Sequence, residues 1–163
     1  MKKIIVFIIS FMLIINLTAC GTIDEEVETS FEICKPSFEI LNQFFKDYYS
    51  SVKLKGEELN FAFSFEENKE YVDKIYAGHL CEYIYVEDDI ATALYDIKKA
   101  FKYDLSLISV TDTRISYGGQ GNEMFVYSLN GKKPKYFLDE EYDISFSTYS
   151  LGDDWYYLFL RVR

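Results

Sequence analysis

Apolar and polar positions follow different rhythms in successive parts of this chain. Ile4 to Ile15 is apolar throughout except for Ser10. An acidic stretch follows. Phe38, Leu41, Phe44, Phe45, Tyr48, Tyr49 and Val52 then recur at three- and four-residue spacing. That period predicts a helix from Pro36-Ser37 to about residue 52, with Pro in its first turn, Ser37 as a cap and Gly56 beyond its end. Asn60 to Phe65 alternates in period two but is short, and reads as a strand or as the start of a second helix. Tyr71, Val72, Ile75, Tyr76 and Leu80 return to helical spacing over Glu66–Leu80. Glu82 to Val86 looks extended. Glu87, Asp88 and Asp89 then open another helix, with Ile90, Ala93, Leu94, Ile97, Ala100 and Phe101 on its buried side. Acids at its start and Lys98, Lys99 and Lys102 near its end both suit the helix dipole.

Beyond Tyr103 the period shortens to two. Leu105 to Ser116 is rich in β-branched residues, Glu123 to Leu129 is a strand, and Asn130-Gly131 is a hairpin signal. Pro134 lacks the donor a central strand needs, so the loop is longer or that strand lies at an edge. Tyr142 to Tyr149 alternates cleanly, Gly152-Asp153-Asp154 turns the chain, and Trp155 to Arg163 is the last strand. Gly118-Gly119-Gln120-Gly121-Asn122 reads as a mobile loop, without the helix or the Lys-Ser/Thr of a phosphate loop. Helices first and strands afterwards predict an α+β domain, with N-terminal helices packed on a C-terminal four- or five-stranded antiparallel sheet.

The N-terminus carries an address. Lys2 and Lys3 precede the apolar run, which as a helix would span about 18 Å. A bilayer core is roughly 30 Å thick, so the run fits the apolar region of a signal peptide better than a membrane span. Leu17-Thr18-Ala19-Cys20 follows directly. This segment resembles the lipobox of bacterial lipoproteins. The resemblance implies a diacylglycerol on the Cys20 thiol, cleavage between Ala19 and Cys20, and a mature protein held on the extracytoplasmic side of the cell membrane. It divides the chain into a signal peptide (1–19), the lipidated cysteine with an acidic tether (20–35), and one globular domain (36–163). The order of helices and then a curved sheet also looks like NTF2-like cone domains; that likeness rests on element order and transfers no functional residue.

Composition narrows the partners. The 163 residues carry 27 acidic and 17 basic side chains, a formal charge of −10. Cleavage would remove Lys2 and Lys3, two positive charges, and leave −12. An acidic chain lacks the clustered cations that neutralise nucleic-acid phosphates, so no nucleic-acid partner is expected. With 15 Tyr, 14 Phe and a single Trp there is ample material for a core.

Candidate chemistry is sparse. On the last strand Trp155, Tyr157, Phe159, Arg161 and Arg163 share one face and Leu158, Leu160 and Val162 the other. The first set is a candidate binding surface, because aromatics beside Arg are enriched at interfaces. The simpler reading is a core face with its arginines at the strand end in water. Cys34 and Cys81 are a disulfide candidate outside the cytoplasm. Closing their loop of roughly 48 residues would contribute about 4 kcal/mol in the chain-entropy model. The alternative is two buried thiols. His79 is the only histidine and reads as a helix-end residue. The acid pairs fall at turns and helix starts, where solvated carboxylates belong. No metal or cofactor site is expected. The reading is a lipid-anchored binding or interaction domain for a small molecule or a protein. Its alternatives are an enzyme with an acid-residue pocket in an NTF2-like cone, and an inhibitor- or immunity-type protein-binding module.

Overall fold

The computed structural model describes residues 23–52, 57–62, 72, 74–101, 105–119, 122–134 and 144–162. In chain order the elements are α1 (Glu25–Val52), β1 (Leu59–Ala62), β2 (Lys74–Ala77), β3 (Glu82–Tyr85), α2 (Asp88–Ile97), a 3-10 turn (Lys98–Ala100), β4 (Leu105–Val110), β5 (Arg114–Gly119), β6 (Glu123–Ser128), β7 (Ile144–Gly152) and β8 (Trp155–Val162). The strands form one antiparallel sheet in the order β3-β2-β1-β4-β5-β6-β8-β7. The class is therefore α+β. Among the described residues no helix is long and apolar enough to cross a membrane.

Register explains the core. One cross-strand row runs Ala77, Phe61, Ile108, Tyr117, Phe125, Tyr157 from β2 to β8. A second runs Leu59, Val110, Ile115, Tyr127, Trp155. Side chains two apart on a strand share a face, so both rows point at the helices. α1 answers with Phe31, Cys34, Phe38, Leu41 and Phe45, spaced by three and four and all buried. Phe31 and Phe38 each meet both Phe125 and Trp155, with ring centroids 5.0–5.6 Å apart. A fully buried ring contributes about 1.5–3 kcal/mol, so this aromatic block is a main source of stability.

Several expectations are corrected. α1 begins at Glu25, so part of the supposed acidic tether is helix. Asp24 starts it, its Oδ1 accepting from Glu26 N at 3.1 Å and its carbonyl from Val27 N at 3.0 Å. Glu25, Glu26 and Glu28 in the first turn suit the positive end of the dipole. Pro36 sits inside this helix, where it removes one backbone bond, at a cost of about 3 kcal/mol; burial of Phe31 and Phe38 on either side holds the helix together. Ser37 is no cap; its hydroxyl donates to Asp96 Oδ2 of α2 at 3.4 Å.

Among the described residues the sheet has eight strands, not four or five, and three of them precede α2. Helices first and sheet afterwards is thus not the order of this chain. Within Glu66–Leu80, residues 74–77 are β2: Ile75 and Ala77 alternate inward and Lys74 outward. Residues 63–71 lie outside the described residues. Leu105–Ser116 divides into β4 and β5 at a turn where Thr111 Oγ1 accepts from Thr113 N and Arg114 N. Gly118 and Gly119 end β5 as paired strand residues. A Cβ on Gly119 would stand 3.0 Å from the Phe101 ring, so close packing explains that glycine. Asn130-Gly131 does form a turn, with Gly131 at φ +68, but β6 is flanked by β5 and β8, so it is no two-strand hairpin.

Candidate functional site

Five polar residues of α1 fall on a second face of the helix: Lys35, Glu39, Asn42, Gln43 and Lys46. Their spacing keeps them in line beside the buried stripe. This face stands over the end of the sheet where β6 and β8 pair, and a cleft of about 380 Å³ opens between them. Tyr127, Leu129 and Trp155 supply its apolar side, and Asp153 closes one end.

Each wall is fixed by a different interaction. Trp155 is 2 % exposed and lies opposite Tyr127 in the register, with ring centroids 5.1 Å apart. Asn42 is buried; its Oδ1 accepts from the Tyr117 hydroxyl at 2.8 Å, which leaves its amide hydrogens as what it can offer the cleft. Tyr117 is fully buried, and burial pushes its hydroxyl well above the ordinary range. Gln43 Nε2 donates to Asp47 Oδ2 at 2.7 Å.

Asp153 belongs to the β7–β8 turn, where Gly152, Asp153 and Asp154 all take positive φ (86, 46 and 65). Asp tolerates that conformation better than most residues. The turn brings its carboxylate to Lys35 Nζ at 2.8 Å. The Lys35 hydrogen bond and charge hold the Asp153 carboxyl below its usual value, and the same bond raises the Lys35 ammonium. The result is a cleft with cations, carboxylates and amides along one wall and two aromatic rings on the other.

The expected surface on β8 is only partly found. Trp155 and Tyr157 point at the helices and are buried, so that part of the face is core; Trp155 also lines the cleft. Phe159 is 38 % exposed. Arg161 contributes backbone to β8 opposite Ser145, and Arg163 lies outside the described residues, as does Cys20.

Cys34 and Cys81 are not bonded to each other. Cys34 is buried against α2 and its Sγ donates to the Asp96 carbonyl at 3.3 Å. Burial, chiefly, raises that thiol. Cys81 is exposed in the β2–β3 turn at φ +55, its Sγ toward the Gly78 carbonyl. His79 shares this turn and is no helix-end residue. It stands edge-on to Tyr48 and Phe61, with Nε2 3.2 Å from the Tyr48 hydroxyl.

No pattern in the sequence pointed to Glu123, which is 4 % exposed and accepts from the Tyr157 hydroxyl at 3.2 Å through Oε2. Desolvation first, then the Glu123 charge, raises the Tyr157 hydroxyl far above its ordinary value. This buried pair lies away from the cleft lining. A second cleft of about 240 Å³ is lined by Thr113, Arg114, Ser128, Asn130, Lys132, Lys133 and Pro134. Among the described residues no group of His, Cys, Asp and Glu is arranged to hold a metal ion.

Compared with known proteins, the chain matches no family model, no curated protein and no solved structure.

Proposed function

We propose that this chain is a small bacterial lipoprotein, anchored through lipid on Cys20 at the extracytoplasmic side of the cell membrane, whose globular domain binds a small polar ligand in the cleft between α1 and the β6–β8 pair. The observation that carries the reading is the cleft itself. It places the chain's single tryptophan and Tyr127 opposite Lys35, Glu39, Asn42, Lys46 and Asp153. Concave sites with an apolar wall and a few convergent polar groups are where small ligands bind. Charges of both signs on one helix face suit a zwitterion or a neutral molecule rich in hydrogen-bonding groups.

Because Trp155 is the only tryptophan, its emission reports the cleft directly. Free amino acids, dipeptides and mono- and disaccharides are titrated against the full chain in detergent. The expected result is a saturable change in Trp155 emission with one of these classes, weakened at least tenfold by Asn42→Ala. Emission that no class alters, or a response that Asn42→Ala leaves unchanged, overturns the cleft as the binding site.

A further inference from the structure

The end of the sheet farthest from the cleft carries a different feature. β3 is a terminal strand, so among the described residues its outer edge has no strand partner. Exposed edges are ordinarily guarded by Lys, Pro or a bulge. β3 is short, with Glu82 as its one charge, and has no Lys, Pro or bulge within it, whereas the opposite edge strand, β7, has a register shift between Ser150 and Gly152. Ile84 turns toward the core, and Tyr83 and Tyr85 stand on the outer face at 59 % and 77 % exposure. Tyr76 lies edge-on to Tyr83, with centroids 5.4 Å apart. Two exposed tyrosines on a free edge are the kind of residue that anchors interfaces, and they lose little conformational freedom on binding.

Charge says what fits. Glu82 opens the strand and Glu87, Asp88 and Asp89 follow it; all four are exposed, with no Lys or Arg between positions 82 and 89. Lys74 on β2 already sits with Nζ 4.9 Å from the Tyr83 ring centroid. Tyr83 therefore accepts an ammonium in this structure, and the Tyr85 ring offers the same kind of face. We propose that β3 receives an extended, cationic peptide segment of a partner protein as an added strand, with backbone bonds along the free edge, Lys or Arg side chains on the Tyr83–Tyr85 face, and the flanking carboxylates setting the preference for positive charge. This surface is separate from the cleft, and neither reading depends on the other.

The probe is an eight-residue peptide of alternating lysine and valine, added to the isotope-labelled full chain in zwitterionic detergent. The expected result is saturable amide shifts confined to residues 74–89 and slowed amide exchange in β3. Tyr85→Ala and Tyr83→Ala each weaken binding about tenfold, the scale of an aromatic interface anchor. A glutamate–valine peptide and a lysine–valine peptide methylated on alternate backbone nitrogens fail to bind. Unchanged Trp155 emission shows that the variants are folded. Equal binding of the methylated peptide would reduce the effect to charge attraction and overturn strand addition. Shifts centred on the cleft, insensitivity to both tyrosine variants, or a dimer of the chain through β3 seen by sedimentation without peptide would overturn it as well.

Discussion

Tyr117 has no access to water, and its hydroxyl spends its one proton on Asn42. This bond joins the centre of the sheet to the wall of the cleft. Tyr117→Phe removes the donor and leaves Asn42 Oδ1 to find water through the cleft. The expected cost is about 1 kcal/mol, read as a lower urea midpoint with an unchanged slope. Tyr157 is the second buried phenol, and both are held protonated by burial. The sign follows from linkage. The unfolded chain ionises these groups near about 10, the ordinary value of a phenol, while the folded chain does not. Their contribution is therefore present below that pH and declines as pH rises above it. Urea midpoints measured from pH 8 to 11 are expected to fall on the alkaline side, and less steeply in Tyr117→Phe. A variant with the same alkaline slope as the parent would show that Tyr117 does not carry the effect.

At the scale of elements, α1 is the instructive case. Its first turns read as a tether because Glu and Thr dominate them, yet Val27, Phe31, Cys34 and Phe38 already had the spacing of one helix face. Composition outweighed periodicity in that reading, and Pro36 looked like a start because proline is rare inside helices. The structure makes Phe31 a full core residue. Phe31→Ala is expected to cost about 3–5 kcal/mol in urea unfolding; a neutral result would return residues 25–33 to the status of a tether. Other parts were legible for good reason. Ile90, Leu94 and Ile97 have one unambiguous period, and the aromatic run from Trp155 reads as one strand, as β8 is. β2 was not legible, because Ile75 and Tyr76 fit a helical spacing as well as a four-residue strand, and only pairing with β1 and β3 decides. The cleft could not be read at all. It joins Lys35 to Asp153, 118 residues apart, and no local pattern encodes that approach.

The whole molecule combines a short leash with a strongly acidic body. On the proposed anchoring at Cys20, helix α1 begins at Glu25, so the link between the lipidated residue and the first helical residue is five Cα–Cα steps. At no more than about 3.6 Å per residue it reaches roughly 18 Å, less than half the contour a tether to Pro36 would have. The mature charge works against this leash, since an anionic lipid surface repels a body of −12. Electrostatics alone would send the domain into solution, and no described helix is long and apolar enough to retain it. On the proposed anchoring, retention rests on the acyl chains, at about 0.8 kcal/mol per buried methylene. Cys20→Ser is accordingly expected to move the protein from the membrane pellet to the soluble or secreted fraction, with higher salt failing to restore the pellet. A mutant that still sediments with membranes and resists carbonate extraction would mean that residues 4–15 hold the chain in the bilayer uncleaved, and the acyl-anchor reading would fall while the cleft and the β3 edge kept their own tests.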